Sequence, residues 1–255
     1  MHNDGYSTMC GHATIAITKL AVDSGWVEKV EPQTKVLIEA PCGILTAYAE
    51  VIDQEVVSVS FENVPSFVVA LDQIIKIPEL GTVQYDLAYG GAFYAFVNAV
   101  DLGLKCDPPQ YQKLIRVGMA IKQAISLNGQ AAAHPYEEDL SFLYGTIFIE
   151  SSKTSQVDSR NVCVFANGQL DRSPTGSGVS ARLAIHHARK ELALNHWMTI
   201  ESILGTQFKC QIKESVKFSN YDAVIPIVQG QAFYTGKNEF WIDPNDPLSG
   251  GFMLR

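Results

Sequence analysis

Two short stretches hold the residues best suited to chemistry. In "STMCGHATIA" (7–16), Cys10, Gly11 and His12 stand where an apolar run begins. That run predicts a helix from about Gly11 to Ser24, with Gly25 just past its end. The N-terminus of a helix leaves backbone N–H groups unpaired and carries about half a positive charge. Both favour a thiolate at Cys10. Gly11 lets a ligand come close to the backbone, and His12 adds a donor. A carboxylate could rest on those N–H groups while the sulfur reaches the neighbouring carbon. The alternative is a buried cysteine at a helix start, with His12 as a polar cap.

"DRSPTGSGVSA" (171–181) repeats the outline but has Thr175 where the first stretch has Cys10. Thr175, Gly176, Ser177 and Gly178 would open a second bare helix N-terminus. Asp171, four residues earlier, could hold an ammonium or iminium group. The alternative is an ordinary capped helix, with Asp171 or Ser173 forming the turn and Pro174 preceding the first turn. The stretch has no GK[ST] ending, so it does not read as a nucleotide loop.

Other candidates are weaker. "AHPYEED" places His134 beside Glu137, Glu138 and Asp139 without HExxH spacing, and reads as a solvated loop rather than a metal site. His186 and His187 read as partly exposed helix residues. The aromatics of "YGGAFYAFV" could wall a ring-binding site, while its glycines mark a bend. Five cysteines without a CxxC pair suit neither a zinc ribbon nor a disulfide framework. Cys42, Cys106, Cys163 and Cys210 read as small buried hydrophobes. Reduced thiols fit a cytoplasmic protein.

The elements that must position these residues alternate between helix and strand. The first helix is apolar on more than one face, through Ile15, Ile17, Leu20, Ala21 and Val22, and should be interior. "KVLIEAP", "GILTAYAEVI" and "VVSVSFENV" read as strands, then "VPSFVVA" and "QIIKIP", then a pair around Gly90-Gly91. "PPQYQKLIRVGMAIKQAISLNG" is an amphipathic helix with prolines at its start. "LYGTIFIES" and "RNVCVFAN" are strands. A third helix, "TGSGVSARLAIHHARKELAL", follows. "QFKCQIKESVKF", "AVIPIVQGQAFYTGKNEFWI" and "GGFML" return to strands. Loop, small residues, helix and strands thus occur twice, which suggests two similar α/β halves meeting at a cleft.

The 255 residues are 47% hydrophobic and 18% charged, with net charge −8. The acidic balance argues against general nucleic-acid binding. No apolar run is long enough to cross a membrane, and the N-terminus shows no signal-peptide pattern.

Taken together, "MCGHATIA" and "DRSPTGSGVSARLA" resemble the two active-site motifs of the proline racemase family, and the resemblance extends to "GGAFYAFV" and "GQAFYTGKNEFWID". It implies an α/β fold of two pseudo-symmetric, diaminopimelate-epimerase-like lobes, each a mixed sheet around a buried helix. The first lobe would hold 1–82 with 237–255, and the second 83–236. Racemases and epimerases of the family place a cysteine at each motif. Thr175 in place of the second cysteine resembles the trans-3-hydroxy-L-proline dehydratase branch, a cofactor-free lyase.

By the same resemblance, Cys10 and Thr175 would be the catalytic pair. Gly11, His12, Gly176 and Ser177 would bind the substrate carboxylate, and Asp171 the ring nitrogen, with no metal. The partner would be a small imino acid, and the chain a possible homodimer. Other readings are a proline racemase or 4-hydroxyproline epimerase, or a shortened inactive imino-acid binder. Family members carry a segment ahead of the first motif. Its absence here implies a first lobe with an incomplete sheet and an open edge.

Overall fold

The computed structural model describes residues 3, 5–128 and 132–251. Helix α1 (Gly11–Asp23) is followed by strands β1 (Gln33–Ala40), β2 (Gly43–Ile52), β3 (Glu55–Glu62), β4 (Ser66–Ile77), β5 (Gly81–Tyr89) and β6 (Phe93–Asn98). Helix α2 (Tyr111–Leu127) leads to β7 (Leu143–Glu150), β8 (Ser159–Phe165) and β9 (Gln169–Leu170). Then come α3 (Gly176–Ala188), β10 (Met198–Glu201), β11 (Gln207–Phe218) and β12 (Tyr221–Gly230). The α/β class expected from the sequence is the one observed.

Twelve strands form one sheet that forks at β12. One edge of β12 pairs with β11. The other is shared, with Ala223 and Val224 on β4 and Ile227–Gly230 on β3. Pro226 sits at the fork, where a missing N–H breaks no ladder on the split side. Its carbonyl accepts the Asn63 N–H at 3.0 Å. The β4 pairing closes β4, β5, β6, β7, β8, β10, β11 and β12 into a barrel, while β3, β2 and β1 extend the sheet as an open wing. Position 82 lies inside β5, which pairs with β4 as a hairpin, so the sheet runs unbroken through it.

The two similar helices have unlike surroundings. α3 runs inside the barrel, and all its residues from Gly176 to Ile185 are buried. Its small side chains make this possible: a Cβ on Gly178 would strike Ile147, and Gly90 leaves room for the Ser177 carbonyl. α1 lies on the wing, with Thr14, Ile15, Thr18, Ala21 and Val22 buried. The expectation of burial all round is corrected here: Ala16 and Ile17 face outward, because sheet covers only one side of the helix. Gly25 has φ +71, as a residue just past a helix end requires. α2 packs outside β7 and β8 through Leu114, Val117, Ile121 and Ile125.

A second correction concerns the tail. Strands were expected through residue 242, but β12 stops at Gly230 and residues 231–251 form no strand. The last ladder pairs of β12 are Gln229 with Lys209 on β11 and Gly230 with Val59 on β3, and the chain leaves both neighbours after them. Gln231 instead donates to the Val57 carbonyl, and the Tyr234 hydroxyl to Asp23 on α1. Phe233, Phe240 and Trp241 are exposed. Most of the "GGFML" stretch lies outside the described residues.

Candidate active site

The N-termini of α1 and α3 meet head to head. Cys10 is the N-cap of α1 and Thr175 the N-cap of α3. The contact point is Gly11 on Gly176: a Cβ on Gly11 would come 2.5 Å from the Gly176 Cα, and one on Gly176 2.8 Å from the Gly11 Cα. Only glycine at both positions lets the backbones approach this closely.

Neither cap residue caps its own helix with its side chain. That is unusual for a threonine, whose hydroxyl commonly takes an N–H of the first turn. The Thr175 hydroxyl points the other way and donates to Asp171 Oδ2 at 2.8 Å. The geometry comes from the backbone, since Thr175 has φ +67, a costly value for a β-branched residue. Both helix ends thus keep backbone N–H groups free of side-chain acceptors, directed toward the same space.

Asp171 organises the second motif. It is 7% exposed. Its Oδ1 accepts the Ser173 N–H at 2.8 Å, and Ser173 Oγ accepts the Thr175 N–H at 3.1 Å. These bonds make the turn expected of "DRSPT", so turn-forming and ligand-holding are compatible roles for Asp171. Across the helix junction, His12 Nδ1 lies 3.1 Å from Ser173 Oγ and 3.6 Å from Asp171 Oδ1. The carboxylate of Asp171 and the neighbouring Cys10 side chain raise the pKa of His12 to about 10. The His12 side chain is 48% exposed, and it holds its proton at neutral pH. Asp171 goes the other way. Burial opposes its charge, but His12, Ser173 and Thr175 outweigh burial and lower its pKa.

The cavity between the two helix ends is lined by Met9, Cys10, Gly11, His12, Tyr94, Tyr144, Phe165, Asp171, Thr175, Gly176 and Ser177. All seven site residues expected from the sequence are therefore brought together. Its volume is about 10 Å³, room for about one water. A ring-sized ligand needs more room than this, and His12 and Asp171 also border a neighbouring cavity of about 900 Å³.

Sequence reasoning missed several members. Tyr94 was placed only as a possible wall residue; its hydroxyl shares a buried 2.8 Å hydrogen bond with Ser177 Oγ at the start of α3. Tyr144 and Phe165, stacked at 5.6 Å, complete an aromatic side. They stand near the ends of β7 and β8 with no local motif to mark them. Cys163 is fully buried, as expected, but lies against Thr175 and Asp171; burial first, and the Asp171 charge second, keep its thiol protonated. Cys106 and Cys210 are buried. Cys42 is only partly buried and lines another cavity.

The loop that carries His134 is solvated as expected, with Ala133 and residues 136–139 exposed, while His134 itself is half-buried. Its Nδ1 accepts the Glu137 N–H, and its ring lies 5.0 Å from that of Tyr89. Among the described residues, no group of three or more His, Cys, Asp or Glu is placed to hold a metal ion. No described helix is long and apolar enough to cross a membrane.

A family profile for proline racemase matches residues 1–253. The chain belongs to the proline racemase family. A trans-3-hydroxy-L-proline dehydratase of Colwellia psychrerythraea is 52% identical over 255 residues, covering all of this chain and 72% of that protein. A proline racemase of Clostridioides difficile is 39% identical, covering all of this chain and 76% of that one. Among solved structures, a hydroxyproline epimerase from Agrobacterium vitis with bound trans-4-hydroxy-L-proline superposes with a TM-score of 0.93 at 34% identity. That match covers 99% of this chain and 72% of the epimerase. The diaminopimelate-epimerase-like fold expected from the motifs stands.

Proposed function

We propose that this chain is a lyase that dehydrates trans-3-hydroxy-L-proline to Δ1-pyrroline-2-carboxylate and water. The observation that carries the reading is Thr175. It occupies the α3 position that mirrors Cys10, and its hydroxyl hydrogen is committed to Asp171. A threonine hydroxyl does not ionise near neutral pH. Of the two cap positions, only Cys10 then offers a group that can take and return a proton.

The residues divide the work as follows. The free N–H groups of Gly11, His12, Gly176 and Ser177 receive the substrate carboxylate. Asp171, kept ionised by its neighbours, holds the ring ammonium. Tyr144 and Phe165 pack against the ring, and closing the helix ends excludes water. Cys10 removes the α-proton.

In the trans substrate the C3 hydroxyl lies opposite the carboxylate, on the face that bears the α-hydrogen. Cys10 can therefore return the proton to the departing hydroxyl. The Cα–H and C3–O bonds break, the Cα–C3 double bond forms, and water leaves. The enamine then takes a proton at C3 and its N–H is lost, giving the imine. No cofactor enters this scheme, and free thiols suit a cytoplasmic setting.

Racemase or epimerase action needs a second acid opposite Cys10, and Thr175 does not supply one. The test is turnover of trans-3-hydroxy-L-proline by the full chain, followed by trapping the imine. Imine formation without α-epimerisation of trans-4-hydroxy-L-proline is expected. Epimerisation without dehydration would overturn the reading.

A further inference from the structure

Arg182 lies in the middle of α3, inside the barrel, and is 6% exposed. Burial lowers its pKa to about 10, which still leaves the guanidinium charged at neutral pH. A buried charge is costly unless it is paired. Among the described residues no carboxylate is in contact with Arg182, and its Nε has no hydrogen-bond partner. Its Nη1 instead donates to a neutral group, Asn161 Oδ1, at 2.7 Å. An apolar side chain of that size would serve packing better, so the contact calls for another account.

Asn161 lies on β8 and is fully buried. The guanidinium settles which way its amide faces. With Oδ1 held by Arg182, Nδ2 points the other way and donates to the Pro174 carbonyl at 3.3 Å. The same peptide is held from its opposite side, where the Thr175 N–H donates to Ser173 Oγ. Two residues further along β8, the Cys163 carbonyl accepts the Asp171 N–H at 3.0 Å. β8 therefore pins both ends of the turn from Asp171 to Thr175.

The pinned peptide matters because of the angle that follows it. A peptide plane held on both sides restricts the φ of the next residue, and Thr175 has φ +67. A strained angle of this kind persists only where its surroundings over-determine it. Here it sends the Thr175 hydroxyl to Asp171 and leaves the start of α3 without a side-chain cap.

We propose that Arg182 and Asn161 are positioning residues for the α3 half of the site. Arg182 orients the Asn161 amide, and the amide holds the Pro174–Thr175 peptide in the plane that sets Asp171, Thr175 and the first N–H groups of α3 on the cavity. Neither residue lines that cavity, so both act through the turn. The proposal rests on the substrate carboxylate binding at the helix junction, whichever reaction follows.

Asn161→Asp separates positioning from packing. It keeps the volume and gives Arg182 a charged partner, and that guanidinium keeps the new carboxylate ionised. The urea midpoint should hold or rise. The carboxylate, however, has no N–H to offer the Pro174 carbonyl. Amide exchange over residues 171–178 of the free protein should quicken about tenfold. Affinity for pyrrole-2-carboxylate, a planar proline mimic, should fall about tenfold by calorimetry. Turnover should fall further, with kcat down about a hundredfold, as a displacement near 1 Å predicts.

Arg182→Met replaces the charge by an apolar chain and should show the same losses, because the amide is no longer oriented. Adding Asn161→Leu to Arg182→Met should cost nothing more, since both changes free one peptide. Exchange and affinity are read on the chain whatever it catalyses, so failure of the dehydratase reading leaves this test intact. Wild-type exchange and affinity in Asn161→Asp would overturn the proposal. So would losses that multiply in the double variant.

Discussion

The N-termini of α1 and α3 are built alike and equipped differently. Each ends in bare N–H groups, and each begins with a glycine pressed against the other's. Cys10 sits in ordinary extended backbone, φ −137, on a helix covered on one side. Thr175 sits at φ +67, on a helix enclosed by a barrel, with its hydroxyl tied to a buried carboxylate. The first end carries a polarisable acid-base group on a less constrained element. The second is an enclosed element that sets Asp171 and the first N–H groups of α3 on the shared cavity. The contrast is the one that the proposed one-sided chemistry requires: two like helix ends, of which only the first carries a thiol.

Breaking the active end should have the largest effect. Cys10→Ser should lower kcat for dehydration by about 10²–10⁴, the usual worth of a positioned base, while pyrrole-2-carboxylate affinity stays near wild type. Steady-state kinetics and calorimetry check the two halves. Removing the shared contact should come next. In Gly11→Ala the new methyl meets backbone, which cannot swing aside, so the helix ends stay apart. A displacement near 1 Å predicts about a hundredfold loss of kcat, with about 1–3 kcal/mol of overpacking in denaturant titrations.

Weakening the second end is milder. Asp171→Asn keeps the turn but loses the charge, and should cost about 1.5–3 kcal/mol of substrate affinity, read mainly in KM.

The smallest effect is on stability against pH. Asp171 has a lowered pKa, so its contribution holds at neutral pH and is lost as pH falls through that lowered value. His12 has a raised pKa, so its contribution is complete below about 6.5 and fades as pH rises toward about 10. Half-exposure of His12 limits the pair to under about 1 kcal/mol. The stability gap between wild type and His12→Ala should therefore be widest near pH 5 and close by pH 10 in urea titrations.

Much of this contrast was legible in sequence, because each helix end is encoded within a few consecutive residues. Cys10-Gly11-His12 and Asp171 through Ser177 needed only local rules of capping and small-residue packing. The unlike burial of α1 and α3 was not legible: both are apolar with small residues, and only the closure of β12 onto β4 encloses one of them. β10 was missed because it has four residues and pairs with β8 at just Ile200 and Glu201. The tail after Gly230 has strand composition, but whether a run joins a ladder is decided by the path of the chain past its neighbours, which no local pattern reports. Tyr144, Phe165 and Cys163 reach the site from strands distant in sequence, a matter of register. The bond from the Thr175 hydroxyl to Asp171 was not legible either; it follows from a positive φ that the residue type disfavours.

The central claim is that Thr175 holds the second acid-base position without supplying the chemistry. Thr175→Cys tests it most directly, by restoring a thiol opposite Cys10 on the same backbone. D-Proline incubated with the variant in deuterated water should exchange its α-hydrogen and yield L-proline, while the parent chain shows neither. A folded Thr175→Cys variant that binds pyrrole-2-carboxylate but exchanges no α-hydrogen of D-proline would contradict the claim.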